Sequence, residues 1–410
     1  MKVGFFEKVK IYIKSIENEK IFDNLSYNTL GLRAKDFFNI PRPSKWHSRL
    51  PLIIKNNTLF CKFLFFSIYM FGVLFGWVFI FIVFLRYLFF KKRDLVLSEK
   101  IAFVNGDRSY KCISSAVKDL SEYTIAHLRP GASYSDDIYS IAEYLNTQSK
   151  FKVFFLSLAA YFKLFFSANF SLILQLYTSV QYFSALEIIV KSKPRVIVIS
   201  QHFDRWAVLI DNLSEFLRKN NEGYKFVIVQ HGIERRDIFQ SMQDASVIFN
   251  RLNFVDLLYS YSESQSQIFS QYIFSSSSCA EFFLYNTEKI ELTEIYSHEN
   301  KNKILFIGHP IYEKVQIALY RKLVEVFEVK CFYKPHPTAG MSDFCGDIGW
   351  EVLDNMIFPE VDYFISYEST LALEYKALGV TGFIHGEAGD NKVIAKEVDA
   401  MLFFFLGRLI

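Results

Sequence analysis

An uncharged apolar stretch near the N-terminus constrains this chain more than any other sequence feature. From Phe63 to Leu85 the sequence FLFFSIYMFGVLFGWVFIFIVFL contains no charged residue. A helix of this length, at about 1.5 Å per residue, matches the hydrocarbon core of a bilayer, which is roughly 30 Å thick. Some sixty residues rich in Lys and Asn precede it, so we do not expect a cleaved signal peptide. We predict a retained membrane segment.

Basic residues flank this segment unequally. Lys62 precedes it, and the basic residues that follow it are Arg86, Lys91, Lys92 and Arg93. The more basic end of a membrane segment usually faces the cytoplasm, which predicts a cytoplasmic C-terminal side. A buried helix or an interfacial hairpin is the alternative, since Gly72 and Gly76 allow a bend. A second apolar stretch, Phe151 to Tyr177, contains Lys residues and is expected to form an interfacial or core helix pair.

The composition of the 410 residues predicts a folded body. Hydrophobic residues make up 51% and charged residues 22%, enough apolar side chain for a core. The net charge is only +3, and no dense basic stripe is present, so nucleic acid is not an expected partner. The five cysteines form no CxxC pair, and their odd number indicates a reducing compartment.

After the apolar segment, short β-branched runs alternate with helical patterns, which predicts parallel sheets with crossover helices. The predicted strands are Ile101–Asn105, Thr124–Leu128, Arg195–Ser200, Lys225–Val229, Leu257–Ser260, Ile304–Ile307, Cys331–Tyr333, Tyr363–Ser366 and Thr381–Ile384. The predicted regions are a polar helical region (1–60), a membrane segment with its basic flank (61–93), a first Rossmann-like domain (98–300) and a second one (301–410). We therefore expect an α/β protein with two domains facing a cleft.

The most specific motif is Lys334-Pro335-His336-Pro337, which directly follows a predicted strand. The two prolines fix the backbone around one imidazole. A positioned His with a nearby Lys is suited to a phosphate or a nucleotide leaving group, where negative charge develops. The alternative is a rigid loop whose His caps a helix.

A second candidate is the hydroxyl cluster Ser366-Tyr367-Glu368-Ser369-Thr370, between a predicted strand and the predicted helix Thr370–Leu378. Ser or Thr at a helix start is an ordinary N-cap. The same helix start also offers free N–H groups to an anion, so we expect donor phosphate or ribose to bind here. Glu374, one turn further on, is a candidate for a ribose hydroxyl, with an exposed helix carboxylate as the alternative.

Together with Gly308-His309-Pro310, these two motifs resemble bacterial glycosyltransferases of the GT-B type. The resemblance is to the sialyltransferases and capsule Kdo transferases, which use CMP-activated sugars, and it covers about residues 195 to 390. It implies that His336, Ser369 and Thr370 hold the CMP phosphate. The full set of candidate donor-binding residues is Gly308, His309, Lys334, His336, Pro337, Ser366, Glu368, Ser369, Thr370 and Glu374.

The resemblance also implies a catalytic base in an acidic motif of the first domain, and no clear copy of that motif is present. Asp204 follows a strand end and is the first candidate for the base. Its alternatives are an ion pair with Arg205 or an N-cap. His231 is the rival base. The sequence Gln230-His231-Gly232 also resembles the His-Gly motif of teichoic-acid polyol phosphotransferases, which keeps that donor class open.

No metal-ligand spacing, GxGxxG motif or P-loop is present, so we expect metal-independent transfer without a bound cofactor. The resulting hypothesis is a glycosyltransferase of surface polysaccharide (capsule, O-antigen or lipooligosaccharide) at the cytoplasmic face of a bacterial inner membrane. It would transfer a sialic acid-like sugar or Kdo from a CMP-sugar to a lipid-linked or lipooligosaccharide acceptor. The alternatives are a CDP-glycerol or CDP-ribitol polyol-phosphate transferase, a UDP- or GDP-sugar transferase, and a non-catalytic membrane scaffold.

Overall fold

A computed structural model describes most of the chain. The described residues are 3–29, 33–43, 50, 57–90, 97–128, 138–167, 169–234, 248, 250–285, 290–294, 301–310, 312–336, 341, 348–354, 357–386 and 391–409. Lys91, Lys92, Arg93 and Pro337 lie outside the described residues, so the predicted basic flank and the second proline of the KPHP motif have no structural account. The chain divides into unit 1, Met1–Thr287, and unit 2, Glu288–Ile410. The sequence-based boundary near residue 300 lies slightly further along the chain.

Unit 1 contains a seven-stranded sheet in the order β3-β2-β1-β4-β5-β6-β7, and all of its strand pairs are parallel. The strands are β1 (Lys100–Val104), β2 (Thr124–His127), β3 (Tyr139–Ser140), β4 (Val196–Ile199), β5 (Lys225–Val229), β6 (Leu257–Ser260) and β7 (Glu281–Leu284). The central strands β4 and β5 are Val- and Ile-rich and almost wholly buried. Such runs are typical of parallel sheets that helices cover on both faces.

The helices of unit 1 include those that the sequence placed outside the Rossmann-like domain. They are α1 (Phe5–Glu17), α2 (Glu19–Thr29), α3 (Thr58–Phe89), α4 (Asp107–Ala116), α5 (Thr147–Phe166), α6 (Phe170–Ile173), α7 (Ser179–Ser192), α8 (Arg205–Asn220) and α9 (Glu263–Ile268). The predicted helix pair at Phe151 to Tyr177 corresponds to α5, α6 and a following 3-10 turn, Leu174–Thr178.

The two N-terminal helices are held in unit 1 by buried charges. Lys8 of α1 forms an ion pair with Glu187 of α7, and both side chains are at most 2% exposed. Glu19 of α2 accepts from Nε of Arg205 at 3.0 Å. Burying charges is costly unless they are paired, so these helices are fixed in position by their partners. Residues 5–29 are thus part of the folded unit 1.

The predicted membrane segment is the long helix α3. Two helical segments of the described residues are apolar and long enough to cross a membrane by length and composition, Leu59–Phe89 and Phe170–Ser192. In the first, only 17% of the most apolar window is buried, whereas the second is 78% buried. The second segment is therefore part of the core of unit 1.

Unit 2 contains a five-stranded parallel sheet in the order β10-β9-β8-β11-β12. Its strands are β8 (Asn302–Ile307), β9 (Val329–Lys334), β10 (Glu351–Val352), β11 (Tyr363–Ser366) and β12 (Thr381–Ile384), and its helices are α10 (Glu313–Val326), α11 (Thr370–Ala377) and α12 (Asn391–Leu406). These two parallel sheets with crossover helices confirm the predicted fold class, an α/β protein with two Rossmann-like domains. All nine predicted strands are present to within one residue or two, and β3, β7 and β10 were not predicted.

Candidate functional site

In each unit the candidate residues lie at the carboxyl edge of the sheet. In unit 2 the chain passes from β8 to β9 on one side, and β11 lies on the other side of β8. Ligands of open parallel sheets bind outside the carboxyl ends of the strands at such a switch point. The loop after β8 carries His309, the loop after β9 carries His336, and the turn after β11 carries Ser369 and Thr370.

Two imidazoles and two phenol rings form an aromatic cluster at this edge. The rings of His309 and His336 lie 4.7 Å apart, and those of His309 and Tyr367 lie 5.7 Å apart. Tyr367 stacks on Tyr312 at 4.6 Å. His309 and His336 are both half-buried. Contacts between the rings limit their rotation and place two imidazoles side by side at the end of β8 and β9.

The hydroxyl cluster forms the N-terminus of α11. Ser369 is the N-cap, and its Oγ accepts from Ala372 N at 3.2 Å. Ser366 Oγ donates to the carbonyl of Tyr367 at 2.6 Å and lies 3.1 Å from Ser369 Oγ. The Thr370 and Leu371 N–H groups have no acceptor among the described residues. The two serines therefore shape the turn, and the free N–H groups of the first helical turn are suited to an anion.

Lys334, a predicted donor-binding residue, is buried at the end of β9. Its Nζ donates to the carbonyls of Asp354 at 3.1 Å and Ile357 at 2.6 Å, and it lies 4.3 Å from the centroid of the Phe358 ring. Burial lowers the pKa of Lys334 to about 8. In this arrangement Lys334 holds Asp354 and Ile357 against the end of β9.

Gly308 is required by close packing at the end of β8. A Cβ atom at this position would lie 2.2 Å from the Tyr333 ring, and Gly308 N donates to Lys334 O at 2.8 Å.

The two candidate carboxylates differ in exposure: Glu368 is exposed and Glu374 is half-buried on α11.

His385, which was not predicted, is buried after β12. Its Nε2 accepts from Gln316 Nε2 at 3.1 Å, and Gln316 Nε2 also donates to Ile307 O, so this pair ties β12 to β8.

We expect Gly308→Ala to destabilise unit 2 by about 1–3 kcal/mol, because the added methyl forces the Tyr333 ring to move in a packed core. Urea unfolding followed by fluorescence measures the change. Gly407→Ala is the matched control, since no atom lies within 4 Å of its added Cβ. Equal stability of the two variants would show that the ring moves at no cost.

In unit 1 the corresponding edge carries His231, at the end of β5. Its Nδ1 lies in hydrogen-bond contact with the carbonyl oxygen of Ser200. A carbonyl only accepts, so Nδ1 carries the proton and Nε2 of the neutral ring has a lone pair. No described residue hydrogen-bonds to Nε2. Burial, with the adjacent His202 and Arg108, lowers the pKa of His231 to about 3, so the ring is neutral at pH 7.

His202 and Glu234 orient His231, and the sequence analysis named neither as a site residue. The backbone N–H of His231 donates to His202 Nε2 at 3.1 Å, and His202 Nδ1 contacts the Glu234 carboxylate. His202 therefore carries its proton on Nδ1. Gln265 fixes the same loop, because it accepts from Glu234 N at 2.8 Å and donates to Glu234 O. A sequence signal for this contact between His202 and His231 does exist. Gln-His dipeptides stand at 201–202 and at 230–231, each directly after one of two adjacent strands.

Asp204, the first candidate for the base, is the N-cap of α8. Its Oδ1 accepts from Trp206 N at 2.9 Å and from Ala207 N at 3.3 Å. Its neighbour Arg205 pairs with Glu19, so the ion pair weighed for Asp204 and Arg205 does not form. Burial and the nearby Glu19 carboxylate raise the pKa of Asp204. This residue thus has a capping role that accounts for its position.

Within the described ranges, no group of three or more His, Cys, Asp or Glu side chains is arranged to hold a metal ion. In the described part of the chain, none of Cys61, Cys112, Cys279 and Cys331 forms a disulfide.

No protein-family model matches the sequence, and no curated protein matches it. Among solved structures, the chain is similar to UDP-N-acetylglucosamine 2-epimerase from Rickettsia bellii, with a TM-score of 0.40 and 10% identity over 75% of this chain and 88% of that one. It is also similar to the glycosyltransferase SnogD from Streptomyces nogalater, with a TM-score of 0.36 and 11% identity over 74% of this chain and 85% of that one. Similarity at this level carries no argument about activity.

Proposed function

We propose that this protein is a nucleotide-sugar-dependent glycosyltransferase whose donor binds at the carboxyl edge of the unit 2 sheet. The observation that carries the proposal is the placement of His309, His336 and the N-terminus of α11 around the end of β8. Strands β9 and β11 flank β8, so the His336 loop and the helix start are about 10 Å apart, two strand spacings. Imidazole donors and free N–H groups at this separation suit the phosphate of a leaving nucleotide.

The proposed donor is a CMP-linked acidic sugar, sialic acid-like or Kdo. The resemblance of the His-Pro and Ser/Thr motifs supports this donor class. In the reaction the acceptor oxygen forms a bond to the anomeric carbon, and the bond from that carbon to the phosphate oxygen breaks. The electron pair leaves with CMP, and His336 with the first N–H groups of α11 neutralises the developing charge. Neither step uses a resident cofactor.

His231 is the proposed base for the acceptor hydroxyl. Its Nε2 lone pair takes the proton, and His202 with Glu234 holds the loop that carries it. With its pKa lowered to about 3, the ring is in the base form at pH 7.

The proposed acceptor is a lipid-linked or lipooligosaccharide glycan of a capsule or O-antigen pathway. The exposed apolar helix α3 supports a location at the cytoplasmic face of a bacterial inner membrane, since a lipid-linked substrate stays in the bilayer. Nucleic acid is not a proposed partner.

A polyol-phosphate transferase that uses CDP-glycerol or CDP-ribitol is the second candidate. It is favoured by the resemblance of Gln230-His231-Gly232 to the His-Gly motif of that class. The contact of His231 Nδ1 with Ser200 O, which leaves a lone pair on Nε2, also favours it. The two candidates differ in the bond that breaks. A sugar transferase cleaves the bond between the anomeric carbon and oxygen, and a polyol-phosphate transferase cleaves the phosphoanhydride.

The direct test offers the detergent-solubilised protein CMP-sialic acid, CMP-Kdo, CDP-glycerol and UDP-sugars, with membrane lipid extract as acceptor, and measures nucleotide release. We expect the protein to release CMP from one of the CMP-sugars. CMP from CDP-glycerol alone would establish the polyol-phosphate transferase, and UDP release would establish a different sugar donor. No release from any donor would contradict both candidate activities and favour a scaffold.

A further inference from the structure

Helices α3 and α5 form one continuous apolar surface on unit 1. More than half of the exposed large apolar side chains of the described residues belong to these two helices. Phe71 and Phe75 of α3 are 64% and 45% exposed, and Phe155 and Phe166 of α5 are 56% and 79% exposed. A patch of this extent exceeds what a soluble surface normally carries.

The opposite face of α3 is buried against unit 1 over nearly the whole helix. Near its start, Phe65 contacts the ring of Phe37 at 5.2 Å. At its middle, Tyr161 donates to the carbonyl of Val73 at 2.7 Å. Near its end, Phe84 stacks on Phe154 at 4.5 Å. The helix, about 48 Å long, is thus packed along its side rather than projecting from the body.

The charges on the two helices are all positive. Neither helix contains Asp or Glu, and their basic residues are Lys62, Arg86, Lys150, Lys152 and Lys163. Arg86 and Lys163 are exposed. An apolar face with basic residues and no carboxylates complements an anionic phospholipid leaflet.

We propose that the α3 and α5 surface inserts into one leaflet of an anionic membrane, with α3 lying in the membrane plane instead of spanning it. A spanning α3 would carry its packing partner α5 into the hydrocarbon, and with α5 the adjacent buried ion pair of Lys8 and Glu187. Charged groups at that depth are costly. The in-plane arrangement immerses only the exposed aromatic face, and it holds whichever reaction the protein catalyses.

Vesicle binding tests the surface. We expect the 410-residue chain to float with phosphatidylglycerol vesicles and to bind phosphatidylcholine vesicles more weakly. The triple variant Phe71→Gln/Phe75→Gln/Phe155→Gln should have a vesicle-bound fraction lower by about tenfold or more, because three aromatic rings no longer insert into the lipid. Phe282→Gln/Phe403→Gln, which removes exposed rings elsewhere, is the matched control. Equal loss in both variants, or detergent-free self-association that hides the face from vesicles, would overturn the proposal.

Cysteine labelling tests the orientation. Lys35 and Glu99 are exposed and flank the two ends of α3. Lys35→Cys and Glu99→Cys are made separately in a Cys279→Ser/Cys345→Ser background and treated with an impermeant maleimide in right-side-out and inverted membrane vesicles. The in-plane arrangement predicts that both positions react from the same side. Reaction from opposite sides would show that α3 spans the membrane, independently of any activity.

Discussion

Replacement of His336 by Ala is expected to reduce nucleotide release about 100- to 1,000-fold. The imidazole follows β9, with its ring centroid 4.7 Å from that of His309, and in the proposed reaction it donates to the charge that develops on the leaving phosphate. Loss of one such donor has effects of this size in other enzymes. Initial rates at saturating donor measure the change in kcat. His336→Gln, whose side-chain amide retains a donor, should keep more of the activity than His336→Ala.

The His336 result also separates catalysis from folding. His336 is half-buried in a loop. The free energy of unfolding, measured with urea, should therefore change by less than about 1 kcal/mol in His336→Ala. Full activity of His336→Ala would eliminate the proposed donor site, and loss of activity together with loss of folding would show that the residue is structural.

Replacement of His231 by Ala is expected to reduce kcat about 100- to 10,000-fold, the range for removal of a general base. The affinity of His231→Ala for CMP should stay within about twofold of that of the unchanged protein, because unit 2 binds CMP in the proposal. Asp204→Asn is the matched comparison, because Asn retains the N-cap oxygen for Trp206 N and Ala207 N. We expect Asp204→Asn to keep near-normal kcat. An inactive Asp204→Asn with an active His231→Ala would assign the base to Asp204.

The fold was largely predictable, because its signals are local. Strands such as Val196–Ile199 and Tyr363–Ser366 are short apolar runs bounded by polar groups, and each formed close to its predicted bounds. The edge strands β3 and β10 were missed, since they have two residues each. Strand β7 was missed as well. All four of its residues are exposed, so its sequence has no alternation of buried and exposed positions that would indicate a strand.

The site was predictable only in part, because hydrogen-bond partners are distant in sequence. The KPHP motif placed His336 directly after a strand, and the Ser/Thr cluster placed a helix start at Thr370, as the structure has them. The motif could not show that Lys334 would turn to the carbonyls of Asp354 and Ile357, some twenty residues later. Likewise, the link from Glu234 to His202 crosses 32 positions and depends on how β4 and β5 pair.

The buried ion pairs of the N-terminal helices have a consequence for biosynthesis. Lys8 and Glu187 are 179 residues apart, and Glu19 and Arg205 are 186 apart. At a translation rate of about 5–20 residues per second, the earliest helices wait roughly 10–35 s for their partners to be made. During that interval the aromatic helix α3 has already been synthesised and lacks the α5 segment that covers one of its sides. The nascent chain therefore presents its most apolar helix long before the domain that anchors it is complete, and early contact with the bilayer would protect that helix from aggregation.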